Sequence, residues 1–161
     1  MTLQPKDLMI GDLLTFEDCV KDGKIIPIEV VELHGYNNDF LASIDGDEAC
    51  DMLEFDDEIV GIPLTPEILK KNGFIKDDGK DDKLSDVYHL LVPTGFEGNS
   101  FTIQVSLYRE PICGVSTLIK CWGWLPPHNG GMNDIHLCSA NYVHELQHAL
   151  KLCGIEKTIE L

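Results

Sequence analysis

Apolar and polar positions along the chain fall into two stretches of β pattern, each followed by a helical one. Ile10-Gly11-Asp12-Leu13-Leu14-Thr15-Phe16 reads as a short strand opening after a turn. The Asp22-Gly23 pair marks a turn. Ile25 to Leu33 follows, where Ile25, Ile26, Ile28, Val30 and Val31 supply β-branched side chains that suit a pleated surface. Pro27 has no N–H and fits the start or the edge of a strand. A turn over 34–39 precedes Phe40-Leu41-Ala42-Ser43-Ile44, which Asp45-Gly46-Asp47 ends, and one more strand is expected within 55–63. Four or five short strands with tight turns predict a small barrel or curled, SH3-like sheet over residues 1–62.

Leu64 to Phe74 carries start and stop signals that agree on a short helix. Thr65 can cap it, Pro66 suits the first helical position, and Glu67 complements the positive end of the helix dipole. Leu64 and Leu69 have the spacing of a hydrophobic staple. Lys70 and Lys71 suit the last turn, and Gly73 suits the left-handed position beyond it. Residues 76–83 read as a polar turn or a disordered loop. Strands are then expected at 87–92, 101–108, 115–124 and 134–138. Phe101, Ile103, Val105 and Leu107 alternate with Thr102, Gln104 and Ser106, which predicts an antiparallel sheet with one wet face. Asn141 opens a last helix, 141–153, with Gly154 as its stop, and 157–161 suits a short closing strand. The expected fold is α+β and mainly antiparallel: a small SH3-like N-terminal sheet (1–62), a short connector helix, then a second antiparallel sheet with a packed C-terminal helix (63–161). The two regions stand as separate domains or share one core.

Charge narrows the partners of such a scaffold. Twelve Lys and Arg against 28 Asp and Glu leave a net charge of −16. Phosphate backbones and anionic membrane surfaces both require clustered cations, so neither is an expected partner. No apolar run approaches the roughly 18 residues of a membrane-spanning helix, and the first seven residues lack the apolar segment of a signal peptide, so the expected location is the cytoplasm. In that reducing compartment Cys19, Cys50, Cys113, Cys121, Cys138 and Cys153 read as thiols, mostly small buried hydrophobes, rather than as three disulfides. The acidic residues concentrate between Asp39 and Glu58 and between Asp77 and Asp86, in expected turns and loops. The first stretch does not match the ligand spacing of a calcium loop. Asp47, Glu48 and Asp51 within it are candidate contacts for a basic partner protein.

One motif offers definite chemistry. His144-Glu145-Leu146-Gln147-His148 matches H-E-x-x-H, in which two histidines one helical turn apart hold a zinc ion and the Glu activates its bound water. His144 and His148 are thus candidate zinc ligands and Glu145 the candidate catalytic residue of a hydrolase. A catalytic zinc needs a third protein ligand. The metzincin continuation places Gly at 151 and His at 154, where this chain has Lys151 and Gly154, and only Glu156 and Glu160 supply downstream carboxylates. Upstream, His89, His128, His136, Cys121 or Cys138 could complete a structural zinc site. Around the helix, Tyr142, Val143, Leu146, Ala149, Leu150 and Cys153 form the apolar stripe, which puts His144 and His148 on the opposite side, expected to face water. Trp122 and Trp124 share one face of a strand. They read as a stacking platform for a partner or as core against the last helix.

The opening Asp7-Leu8-Met9-Ile10-Gly11-Asp12, the segment Leu64 to Phe74 and the ending Tyr142 to Gly154 together resemble a group of short proteins from gut anaerobic bacteria and their phages and mobile elements. The resemblance runs over the whole chain. The group carries no assigned function, so it implies no catalytic residue. Its usual ending has the form Tyr-Val-His-x-Leu-Gln, often followed by Asn, which makes His148 incidental to the pattern. The leading expectation is a non-enzymatic cytoplasmic accessory or protein-interaction protein. The alternatives are a zinc-dependent hydrolase using the motif and an acidic DNA mimic that occupies a basic, nucleic-acid-binding partner.

Overall fold

A computed structural model describes residues 8–33, 39–48, 50–54, 58–78, 84–93, 100–112, 115–123 and 133–161. In chain order the elements are β1 (Leu13–Phe16), α1 (Glu17–Lys21), β2 (Ile28–Leu33), β3 (Asp39–Ile44), β4 (Cys50–Glu54), β5 (Ile59–Gly61), α2 (Pro66–Lys71), β6 (Ile75–Lys76), β7 (Ser85–Pro93), β8 (Ser100–Ile112), β9 (Val115–Gly123), β10 (Asn133–Ser139) and α3 (Val143–Leu152). The strands form two five-stranded sheets in the orders β4-β3-β2-β1-β5 and β10-β9-β8-β7-β6. All the strand pairings are antiparallel. The α+β, mainly antiparallel fold predicted by the alternating pattern is the fold observed. Two compact units result: residues 1–63 with 142–148, and residues 64–141 with 149–161.

In the first unit the register turns alternation into a core. Leu14 lies opposite Ile28, and Val30 opposite Ala42. These four join Leu8, Phe40 and Ile59 in one buried cluster, with Phe16, Leu33 and Leu53 packed against it. Asp45 and Gly46, at φ 55° and 76°, turn the chain after β3. Gly bears positive φ without steric cost, and Asp is among the few other residues that tolerate it. Two features differ from the sequence expectation. The acidic stretch after this turn is not all loop, since 50–54 forms β4 at the sheet edge. Leu53 pairs with Phe40 and faces the core, while Asp51 and Met52 stay exposed. An edge strand tolerates such charge, which also blunts unwanted pairing. Residues 17–21 form the short helix α1 instead of running straight from strand to turn. Five residues are too few to show a helical period. Lys21 there reaches Glu17 at 3.0 Å and Asp18 at 3.4 Å. The expected turn at 34–38 lies outside the described residues.

The second unit begins with α2, which forms as its signals predict. Thr65 Oγ1 accepts from Ile68 N at 3.3 Å, Ile68 and Leu69 are buried, and Gly73 takes φ 80°. On β8, Ile103 and Val105 are fully buried, but the opposite face is not wet: Thr102 is 8% and Ser106 6% exposed. β8 is the middle strand, flanked by β7 and β9. Ser106 there lies between Val87 of β7 and Leu118 of β9. The expected closing strand at 157–161 is absent. Asn72, 2% exposed, takes its place. Its Nδ2 donates to Glu160 O at 2.8 Å and its Oδ1 accepts from Glu160 N at 3.0 Å. One buried amide thus mimics the pairing of a strand, and Lys71 Nζ donates to the Leu161 carbonyl.

Candidate functional site

The H-E-x-x-H segment opens α3 and belongs with the first unit through His148. The helix starts where Tyr142 bridges Pro63 and Val143 N donates to Ile62 O at 2.9 Å. Gly61 lies beneath Tyr142, so close that a Cβ there would meet the Tyr142 ring atom Cγ at 2.5 Å. Glu145 Oε2 accepts from Tyr142 N at 3.0 Å, which satisfies one of the free N–H groups at a helix start.

The polar face of α3 is turned inward, which corrects the expectation that the two histidines face water. His144 is 2% exposed and Gln147 7%. The His144 ring stacks on Tyr142, with centroids 5.7 Å apart and planes 8° from parallel, and meets the His148 ring edge-on at 5.9 Å. Gln147 spans the entry to β1: Nε2 donates to Gly11 O at 2.9 Å and Oε1 accepts from Leu13 N at 3.1 Å. Between these two residues stands Asp12, whose side chain is fully buried. Its Oδ2 accepts from Met9 N at 2.7 Å, and His148 Nε2 lies 2.8 and 2.9 Å from its two oxygens. An ionised carboxylate only accepts, so this pairing places the proton on Nε2. The physical reason for the inward face is that backbone groups of 11–13 and a buried carboxylate need partners, and α3 supplies them.

The arrangement is therefore a polar clasp that joins the N-terminal strand to α3 within the first unit. Glu145 and His148 hold a backbone N–H and a carboxylate rather than standing open toward a common point. Among the described residues no group of three His, Cys, Asp or Glu is disposed to hold a metal. His89 stands on β7 and His136 on β10, the latter opposite Lys120. His128 and Trp124 lie outside the described residues. Trp122 occupies a position on β9 opposite Thr102 and Asp134. Asp12 and Gln147 were not singled out by sequence reasoning. Their only signal was a carboxylate between the apolar Ile10 and Leu13, and an amide one position before the second motif histidine.

The acidic candidates form a surface of a different kind. Asp45, Asp47, Glu48 and Asp51 are all exposed around the end of β3 and the start of β4. Residues 1–63 hold 16 of the 28 acidic residues and three of the 12 basic ones, a balance of −13 out of −16. The second unit pairs its charges more evenly: Asp86 takes Lys76 at 2.9 Å and Arg109 at 3.3 Å, which holds its carboxyl below the usual range. No described helix is long and apolar enough to cross a membrane. Compared with family models, curated proteins and solved structures, the chain has no match in any of the three.

Proposed function

We propose that the protein is a non-enzymatic cytoplasmic accessory protein that binds a basic partner protein through the acidic, SH3-like first unit. The observation that carries this reading is the charge asymmetry: most of the net charge falls in residues 1–63, and Asp45, Asp47, Glu48 and Asp51 present it at one end of an exposed edge strand. Such a field attracts a cationic surface from a distance and speeds encounter. The clasp supports the non-enzymatic half of the reading, because Glu145 and His148 have structural partners that a zinc hydrolase would require them to leave. The resemblance to proteins of phages and mobile elements is compatible with a small accessory role.

The test is capture from a panel of purified basic proteins by the immobilised chain. A partner held at about 0.15 M salt is expected to release by about 0.5 M, where surface charges are screened within a few ångströms. Asp47→Lys/Glu48→Lys/Asp51→Lys is expected to abolish capture, while Asp77→Lys/Asp78→Lys in the second unit leaves it intact. Equal loss in both variants, or retention in the first, removes the proposed surface. Stoichiometric zinc in protein purified without a tag, lost on His148→Ala, would favour the hydrolase instead.

A further inference from the structure

The two sheets end in four edge strands, and these differ in what they offer a further strand. β4 closes the first sheet beyond β3, and among the described residues no strand pairs with its outer side. Its pairing with β3 runs from Ser43 and Cys50 to Asp39 and Glu54 with no shift of register. Five regular residues span about 17 Å. Along such a strand every second residue turns its N–H and C=O away from the neighbour it already pairs with. β10 ends the second sheet, but its register with β9 shifts between His136 and Cys138. A bulge of that kind bends an edge away from further pairing. The remaining edge strands are short: β5 has three residues and β6 two. β4 is therefore the edge whose length and regularity suit the addition of another strand.

We infer that β4 is the docking edge for an extended, cationic segment of the partner protein, which adds to the first sheet as a sixth strand. This inference rests on the basic partner proposed above and names the form in which that partner binds. Two observations choose the occupant. Met52, opposite the half-buried Leu41, is 53% exposed, so an incoming side chain beside it gains apolar contact. Asp51, the next residue along, is exposed on the other face of the strand, and Asp45, Asp47 and Glu48 are exposed just before it. An incoming strand that alternates apolar and Lys or Arg residues meets both. A second copy of this chain does not fit, because β4 laid against β4 would set these carboxylates beside one another, and like charges across a strand pair are destabilising. The charge that keeps β4 from pairing with itself thus selects a strand of opposite sign. Main-chain hydrogen bonds supply affinity, and the alternation of side chains supplies specificity.

The experiment titrates the full-length chain with two peptides, Lys-Val repeated four times and Lys-Pro repeated four times. Both carry the same charge, but the second lacks the valine N–H groups and does not form a strand. Lys-Val is expected to bind about tenfold more tightly, the worth of one or two net hydrogen bonds. By nuclear magnetic resonance, alternate amides within 50–54 are expected to exchange more slowly with solvent in that complex, and not with Lys-Pro. Met52→Glu separates strand addition from simple attraction. It adds a negative charge, so a purely electrostatic dock would tighten, whereas loss of the apolar contact is expected to weaken Lys-Val binding several-fold. Equal binding of the two peptides, protection at 133–139 instead of 50–54, or tighter binding by Met52→Glu would each overturn strand addition at β4 while leaving a basic partner in place. If neither peptide and no protein of the basic panel binds, the basic partner itself fails and the inference falls with it. The exchange map of the unsubstituted chain decides the edge even if Met52→Glu fails to fold.

Discussion

Helix α2 closes its first turn with Thr65, three residues from the N–H it accepts, and closes its end with Asn72 and Gly73 next door. Helix α3 makes one local bond of that kind, from Glu145 back to Tyr142, and then reaches across 134 to 136 residues to Gly11, Asp12 and Leu13. The two helices are both short, and isolated helices of this length are marginal in water. The start of α2 is specified by its own punctuation, and only its end, through Lys71 and Asn72, reaches distant residues at 160 and 161. The polar face of α3 is specified by what it meets, so the same residues read as a wet surface or a metal motif until their partners are known.

Breaking the clasp tests this difference most severely. Asp12→Ala removes the acceptor of both His148 Nε2 and Met9 N from a fully buried site. The loss is expected to be about 3 kcal/mol, because a buried polar partner is left unsatisfied. Urea denaturation measures it. A double-mutant cycle with His148→Ala is expected to return a coupling of about 1–2 kcal/mol. If Asp12→Ala costs no more than removal of a helix cap, the long-range contacts of α3 are decoration and the contrast fails.

The same difference sets what was legible. Alternation along Phe101 to Leu107 announces β8, and Thr65-Pro66 with Gly73 announces α2, because each signal lies within the element it specifies. The wetness of Thr102 and Ser106 was misjudged because burial depends on a strand's place in the sheet, which period two does not encode. β4 was hidden inside an acidic stretch because an edge strand can keep polar side chains on both faces. The H-E-x-x-H match was legible as a pattern, but its use was not. Nothing between residues 142 and 148 names Asp12 as the partner of His148, and a carboxylate near the start of β1 has no periodic signal of its own.

A second substitution probes the seat of α3 rather than its polar face. Gly61→Ala would place a methyl group 2.5 Å from Tyr142 Cγ and 2.8 Å from Tyr142 Cβ. Those atoms lie at the base of the side chain and cannot swing aside without moving the start of the helix. A loss of about 2 kcal/mol is expected, within the range for overpacking. Chemical denaturation gives the size. Loss of near-ultraviolet circular dichroism from the tyrosine would tie the cost to that contact. For α2 the counterpart is Thr65→Ala, with an expected cost of about 1 kcal/mol, the usual value of a helix cap. Thr65→Asp should restore most of it, since Asp also accepts from the helix N–H groups. A Thr65→Ala cost equal to that of Asp12→Ala would show that a local cap weighs as much as the long-range clasp, and the contrast would fail.

The smallest effect concerns the other end of α3. Cys153 is held protonated up to about pH 11 in the folded chain, against 9.0 without that environment, through burial first and then Cys121. The folded state binds the proton more tightly, so this contribution to stability is fully present below pH 9 and is lost as the pH rises from 9 to 11. Burial also raises the Tyr88 hydroxyl above its ordinary value, so Cys153 is not the only group whose titration changes on folding. The informative quantity is thus the difference between wild type and Cys153→Ser, each unfolded in urea with reductant at pH 8 and again at pH 10.5. The wild type is expected to lose more stability over that interval than the variant. The same loss in both proteins would mean that the folded chain holds the Cys153 proton no more tightly than the unfolded one.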